Sequence, residues 1–153
     1  MDEATCRARL AAARAGRLAT VRPDGRPHVV VCCFALEGDQ LWTAVDAKPK
    51  RSARLARLQN VRAHPHASLL ADHYEEDWER LWWVRADGTA EVLEAGAERN
   101  RALAALAAKY EQYAQSPPGG PVIAIAVERL TGWSANPERS PPAAATWPPP
   151  APA

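Results

Sequence analysis

The chain has 153 residues, of which 47% are hydrophobic, and three cysteines without CxxC spacing. These properties favour one ordinary domain with its own core, and they argue against two independent domains, a disulfide framework or a zinc site. The formal net charge of +1 disfavours general affinity for nucleic acids, and there is no apolar run of signal-peptide or membrane-span length, so we expect a soluble, cytoplasmic protein.

The first part of the chain predicts a helix followed by a β-hairpin. Residues 2–15 are rich in Ala, Arg and Leu and contain no Gly or Pro, which favours a helix. Residues 18–21 and 27–36 are typical of strands, joined by a tight turn at residues 23–26. Residues 29–36 are all apolar, so we expect both faces of the second strand to be covered, as in a barrel whose outside meets a helix or a second subunit.

The segment 41–65 combines a strand with a helix whose charges are unusual. Residues 41–45 are apolar, aromatic and β-branched, and helical spacing of apolar residues follows Ser52, which is predicted to be the N-cap. Cations crowd the start of this helix, although its partial positive charge favours Asp or Glu. They are Lys48, Lys50, Arg51 and Arg54. Because backbone N–H groups and several cations meet here, the sequence favours an anion site, most often for phosphate, over a solvated basic face.

The rest of the chain predicts further strands, one long helix and a tail. Strands are expected at residues 67–71, 81–85, 89–93 and 122–130, and a helix at residues 97–113. The second and third of these strands form either a hairpin or one long strand bent at Gly88. Residues 72–79 are acidic and polar, as in a loop. From residue 136 onwards Pro and Ala dominate, so we predict a folded domain at residues 1–135 and a disordered tail at residues 136–153.

Common catalytic and metal-binding motifs are missing from the sequence. There is no GxSxG, P-loop or GxGxxG motif, which argues against a hydrolase elbow, a nucleoside-triphosphate site and a Rossmann fold. His64 and His66 precede the acidic loop, but carboxylates in polar loops are usually solvated, and we predict no metal site. Cys32 and Cys33 should point to opposite faces of their strand as small apolar residues rather than nucleophiles.

Six tryptophans beside one Phe and three Tyr are an unusual choice for a core. Trp82 and Trp83 should face opposite sides of a strand, and core packing or a subunit interface explains either one most simply. Trp42 lies just before the basic cluster, and Trp133 follows the last strand. A flat aromatic ligand with a phosphate would need such apolar walls together with fixed cations.

The strand and basic helix resemble the flavin-binding split barrels of the pyridoxamine 5'-phosphate oxidase class. The features that carry the resemblance are Trp42-Thr43, the basic turn Lys48-Pro49-Lys50-Arg51-Ser52, and His64-Pro65 before the next strand. The hairpin GRLATVRPDGRPHVVVCCF is also similar, and the resemblance covers roughly residues 7–135. The segments DHYEEDWERLWWVRADGTAEVLE and ERLTGWSA are similar to a small subgroup described as coenzyme F-420 (deazaflavin)-dependent members of the class.

This resemblance implies a mainly β fold with helices (α+β), namely an antiparallel split β-barrel of the FMN-binding type, assembled as a homodimer with cofactor sites at the subunit interface. It implies that Lys48, Lys50 and Arg51 hold the cofactor phosphate, and either lysine can match the phosphate-binding lysine of the family. Trp42 and Thr43 would lie beside the ring or the ribityl chain. We also expect Arg54 to bind further negative charge on the cofactor and Trp133 to belong to the cofactor site.

Together these observations predict a deazaflavin (F-420)-dependent oxidoreductase that transfers a hydride between the cofactor and a small organic substrate. FMN is the alternative cofactor. Because the cofactor supplies the reactive atom, we predict no obligatory acid–base residue. The residues that match the substrate-phosphate site of the oxidase are missing, which argues against true pyridoxamine phosphate oxidase activity. Two other hypotheses are a cofactor-binding protein without catalysis and a nucleic-acid-binding module that uses the basic helix.

Overall fold

The computed structural model describes residues 1–45 and 51–138, and it describes the backbone alone for residues 51–55. The helices are α1 (Glu3–Ala12), α2 (Arg51–Ala63), α3 (Ala97–Lys109) and α4 (Glu111–Gln115), with a 3-10 turn at Trp78–Arg80. The strands are β1 (Gly16–Val21), β2 (Pro27–Cys32), β3 (Ala35–Glu37), β4 (Gln40–Ala44), β5 (His66–His73), β6 (Trp82–Leu93) and β7 (Val122–Ser134). Most of the predicted tail, residues 139–153, lies outside the described residues.

The strands form one antiparallel sheet in the order β2-β1-β5-β6-β7-β4-β3. Its two edge strands, β2 and β3, are consecutive in the chain and are joined by Cys33 and Phe34 alone. The sheet must therefore curl until its edges approach each other, which is the geometry of a barrel left partly open. This confirms the predicted antiparallel split barrel of the α+β class.

Tyr110 holds the junction between the edge strands β2 and β3 by hydrogen bonds. Its hydroxyl accepts a hydrogen bond from Phe34 N at 3.1 Å and lies 2.9 Å from Phe34 O and 3.0 Å from Arg14 O. The backbone of Tyr110 is extended, with φ −125° and ψ 116°, and it separates α3 from α4. The single helix predicted at residues 97–113 is therefore two helices, because the anchored tyrosine interrupts the first one.

Two apolar cores lie on opposite sides of the sheet. The inner core fills the barrel and includes residues from α1 and α2, such as Leu10 and Leu58, together with Leu69 of β5 and Ile123 of β7. The outer core lies between α3 and the strands β3, β4 and β7, and its members include Ala35, Trp42, Leu106 and Val122. As predicted, Cys32 belongs to the inner core and Cys33 packs against the outer one, while Trp82 and Trp83 face opposite sides.

The outer face of β2 is not covered by the described residues of one chain. Val30 packs against the inner core, whereas Val29 and Val31 are 60% and 68% exposed on the other face. No helix of the described residues covers this face, so cover by a second subunit stays a prediction. β2 is an edge strand of the sheet, and its outer face is open to solvent in the described single chain.

Residues 82–93 form one long strand, which decides between the two alternatives that the sequence left open. The strand changes register between Asp87 and Gly88, where it passes β7. A Cβ atom at Gly88 would lie 2.0 Å from the carbonyl oxygen of Ala126, so only glycine fits at this crossing.

The helices differ from prediction mainly at their ends. α2 begins at Arg51, so Ser52 lies inside its first turn and not at the predicted N-cap position. In the ranges that the structure describes, no helix is both long enough and apolar enough to cross a membrane.

Candidate functional site

The first turn of α2 has the unusual charge pattern noted in the sequence, namely basic residues without an acidic one. No carboxylate of this turn therefore offsets the positive end of the helix dipole. Arg51 and Arg54 belong to the first four residues of the helix. Lys48 and Lys50, and the side chains of both arginines, lie outside the described residues. That these four residues bind an anion stays a prediction.

β4 leads towards this helix and buries both of its candidate site residues. Trp42 is 0% exposed in the outer core, and the guanidinium carbon of Arg101 lies 5.6 Å from the centre of its ring. Thr43, which is 1% exposed, points to the opposite face, the side of the inner core that Leu58 of α2 shares. Of the pair, Thr43 is thus the residue that faces the same side as α2.

His28 of β2 was not predicted to belong to the site, whereas Arg57 belongs to the basic helix α2 that was predicted to form it. His28 is directly opposite Thr20 of β1, and Asn60 of α2 donates a hydrogen bond of 3.0 Å to Thr20 Oγ1. This arrangement places His28 on the inner face, close to α2. Burial, followed by the positive charges of Arg22 and Arg57, lowers the pKa of His28, so its imidazole is mainly neutral at pH 7.

Three buried polar atoms in this region have no hydrogen-bond partner among the described residues. They are His28 Nδ1, Thr43 Oγ1 and Arg57 Nε, and we call these three residues the polar cluster. Cys32 connects them: burial raises the pKa of its thiol, while contact with Thr43 and the charge of Arg57 oppose that rise. Cys32 is therefore a neutral thiol at pH 7, in the same environment as Thr43 and Arg57.

Buried polar groups without a partner among the described residues favour a polar or anionic ligand. A buried donor without a partner costs about 1–3 kcal/mol, and a ligand atom that pairs with it recovers this free energy. Arg57 adds a positive charge, and hydrogen bonds to ionised groups are the stronger ones. The polar cluster thus suits a ligand with several oxygen atoms, such as a phosphate ester with a polyhydroxylated chain.

Trp133 lies in a different part of the fold. It is 44% exposed and directly opposite Trp83 on the outer face of the sheet. Its neighbour Gly132 faces inward, where an added Cβ would meet Cys6 Sγ at 2.6 Å. Within one chain, the structure does not bring Trp133 together with Thr43.

The histidines and acidic residues do not assemble into a metal centre in the described part of the chain, where no group of three or more potential ligands is close enough. His73 instead contacts Glu75, with Nε2 and Oε2 separated by 2.8 Å, and stacks on Trp82 at a centroid distance of 6.5 Å.

Several solved structures share this fold. A conserved hypothetical protein from Mycobacterium tuberculosis is 24% identical, with a TM-score of 0.69 over 88% of this chain and 86% of that one. A putative 5-nitroimidazole antibiotic resistance protein from Bacteroides thetaiotaomicron is 16% identical, with a TM-score of 0.68 over 86% and 82%. A FAD-binding protein from Mesorhizobium loti is 24% identical, with a TM-score of 0.65 over 86% and 94%.

Sequence comparison gives the family directly. No curated protein sequence matches the chain significantly. The family model described as pyridoxamine 5'-phosphate oxidase, however, matches residues 2–134, which is most of the chain. The chain therefore belongs to the pyridoxamine 5'-phosphate oxidase family.

Proposed function

We propose that this protein is a deazaflavin (coenzyme F-420)-dependent oxidoreductase, with FMN as the alternative cofactor. The observation that carries the proposal is the polar cluster, which offers buried polar groups on α2, a helix whose first turn has no acidic residue, and on the strands facing it. The description of the Mesorhizobium loti protein as FAD-binding supports a cofactor of the flavin type. When bound, such a cofactor supplies a ring that accepts or donates a hydride.

The residues of this chain would bind and orient the cofactor. Lys48, Lys50 and Arg51 would hold its phosphate, and Arg54 would meet the acidic tail that distinguishes deazaflavin from FMN. The polar cluster would donate hydrogen bonds to the oxygen atoms next to the phosphate. This division follows from the chemistry of each group. The lysines and arginines before and in the first turn of α2 would attract the anionic parts of the cofactor, whereas the Thr43 hydroxyl suits a polyhydroxylated chain.

Trp42 would act indirectly. Its ring is completely buried between β4 and α3, so it fixes the strand from which Thr43 projects to the other face. Trp133 would contribute only where another part of the assembly approaches the outer face of the sheet.

We also propose that the protein is a homodimer with its cofactor sites at the subunit interface. Val29, Val31 and Trp133 are large apolar residues that one chain leaves exposed on the outer face of the sheet. Covering exposed apolar surface is the main favourable term in subunit association.

Titration of the purified protein with coenzyme F-420 and with FMN, followed by fluorescence, tests cofactor binding. We expect micromolar affinity for F-420 and about tenfold weaker binding by the Arg57→Gln variant, equivalent to about 1.4 kcal/mol. Arg62→Gln is the matched control, because Arg62 lies on the same helix but is exposed and pairs with Glu94 at 2.5 Å.

Two outcomes would contradict the proposal. Failure to bind either cofactor at micromolar concentration would exclude both forms of it. Equal affinities of the two arginine variants would place the ligand away from the polar cluster.

Two further experiments distinguish the other hypotheses. Oxidation of reduced F-420 in the presence of a substrate panel distinguishes an enzyme from a cofactor carrier. Steeply salt-dependent binding to random duplex DNA without cofactor binding would favour the nucleic-acid hypothesis.

A further inference from the structure

Arg9 of α1 places a positive charge against the inner core. It shares one face of the helix with Cys6 and Leu10, which belong to that core, and it is only 6% exposed. Its guanidinium carbon lies 5.2 Å from the centre of the Trp82 ring. Trp82 is the first residue of β6, so α1 carries this arginine onto the end of the barrel where β6 begins.

No carboxylate among the described residues pairs with Arg9. Glu75, whose partner His73 stacks on Trp82, contacts His73 at 2.8 Å and Arg80 at 3.0 Å instead. Burial lowers the pKa of Arg9, and the thiol of Cys6 opposes this change. An arginine keeps its charge at pH 7 even when its pKa is lowered, so a positive charge without an ionised partner lies beneath α1.

Two donors at this junction lack a hydrogen-bond partner in the part of the chain that the structure describes. They are Nη1 of Arg9 and the indole Nε1 of Trp82, and both atoms are buried. Guanidinium and indole nitrogens donate hydrogen bonds and do not accept them. Because a buried donor without a partner costs about 1–3 kcal/mol, the junction favours an acceptor.

The contact of Arg9 with the ring of Trp82 does not meet this need. A desolvated cation–π contact contributes about 2 kcal/mol, whereas the removal of a charge from water costs several kcal/mol. The indole N–H lies in the plane of the ring, so a cation over the ring leaves it unused. An acceptor with a negative charge would pair with these donors and offset the charge of Arg9.

We propose that a small inorganic anion, of the size of chloride, binds between the Arg9 guanidinium and the indole N–H of Trp82. The uncompensated charge of Arg9 favours an anion over a cation or a neutral molecule. Because both donors are buried, a large organic anion would have to displace core side chains. The ion would join α1 to β6 and thereby stabilise the packing of the helix on the end of the barrel.

The test measures the response of the full-length protein to chloride. Thermal melting is followed in mixtures of sodium gluconate and sodium chloride at constant pH and ionic strength, since gluconate is too large for the site. We expect the melting temperature to rise saturably by about 3–6 °C as millimolar chloride replaces gluconate. The NMR line width of chloride measures binding directly. The protein should broaden this signal, and added bromide should reverse the broadening by competition.

Two substitutions remove one proposed contact each. Trp82→Phe keeps an aromatic ring but removes the N–H, and it should weaken chloride binding about tenfold. Arg9→Met removes the charge and should abolish both the rise in melting temperature and the line broadening. Arg7→Gln is the matched control, because Arg7 lies on the same helix and pairs with Glu3 at 3.1 Å and Asp39 at 2.8 Å. Its response to chloride should equal that of the wild type.

Equal responses of the wild type and Arg9→Met to chloride would overturn the proposal, as would a wild type that neither broadens the chloride signal nor gains stability from chloride. Unchanged affinity of Trp82→Phe would contradict the proposed contact with the indole. The melting curves show whether each variant is folded, and Arg9→Gln replaces Arg9→Met should the latter fail to fold. The site shares no residue with the polar cluster, so these outcomes do not depend on cofactor binding.

Discussion

Lys109, which is half-buried, and its buried neighbour Tyr110 at the end of α3 have pKa values shifted in opposite directions. Lys109 Nζ has no hydrogen-bond partner among the described residues and lies 4.1 Å from the centre of the Phe34 ring. Burial, with a smaller contribution from Arg14, lowers the pKa of Lys109 to about 8. Burial also raises the pKa of Tyr110 to about 12. Both shifts favour the neutral form of the side chain.

Replacing Lys109 by Met should stabilise the protein at pH 7. Since the pKa of Lys109 is about 8 in the folded chain and 10.5 in the reference state, the folded state binds fewer protons between these values. The free energy of unfolding of the wild type should therefore receive a contribution that rises with pH from about 8 to 10.5. Below that window the buried charge is a cost, and we expect Lys109→Met to remove about 1–2 kcal/mol of it.

Urea unfolding at several pH values measures this effect. The advantage of Lys109→Met should shrink as the pH rises through the window, and above pH 10 the raised pKa of Tyr110 should begin to destabilise both proteins. A variant that is less stable than the wild type at pH 7 would show that packing by the lysine side chain outweighs its charge.

The sequence predicted some residues of the candidate site and missed others for definable reasons. Thr43 was predicted from the resemblance of Trp42-Thr43 to the family pattern, but its burial could not be read from the chain. His28 was missed, although the tight turn at residues 23–26 fixes the hairpin register that places it opposite Thr20. Its importance depends on Arg57, which approaches only when α2 packs over β1, and no local pattern encodes that contact.

At the scale of elements, the long strand β6 depends on Gly88. Replacing Gly88 by Ala would bring a Cβ atom to 2.0 Å from the carbonyl oxygen of Ala126, and the two strands would have to separate. We expect a loss of about 2 kcal/mol or more in the free energy of unfolding. Gly119→Ala is the control, because a Cβ there meets no atom within 4 Å. Equal stabilities of the two variants in chemical denaturation would contradict this account.

The hairpins and helices were largely predictable because their signals are local. The break between α3 and α4 was not, since apolar residues continue at helical spacing past Tyr110. What ends the helix is the hydrogen bonding of Tyr110 to Phe34, and 76 residues separate the two. A helical pattern gives no information about such a distant partner.

At the scale of the whole molecule, the helices cover the barrel unevenly. α3 covers β3 and β4, whereas the outer faces of β1 and β2 have no helix over them in the described part of the chain. The family and its barrel could be recognised from the order of motifs along the chain. The row that Arg17, Leu70 and Arg85 form across β1, β5 and β6 could not, because these strands become neighbours only in the folded sheet.

Replacing Val31 by Lys should disrupt the proposed homodimer. Val31 is 68% exposed in a single chain, and a buried lysine at an apolar interface would be costly. Sedimentation velocity should show a dimer for the wild type and a monomer for Val31→Lys. Ala104→Lys, on an exposed position of α3, should remain dimeric. A wild type that is monomeric at tens of micromolar would refute the proposed assembly.

The hydrogen bonds between Phe34 and Tyr110 affect how the chain folds during its synthesis on the ribosome. β2 and β3 leave the ribosome early, yet the tyrosine that holds their junction is 76 residues behind, and β4 acquires its partner β7 later still. Contacts of such large sequence separation form late, after their loop-closure entropy has been paid. During synthesis, the N-terminal half should therefore remain an open, apolar sheet that is exposed to chaperones until the last strand arrives.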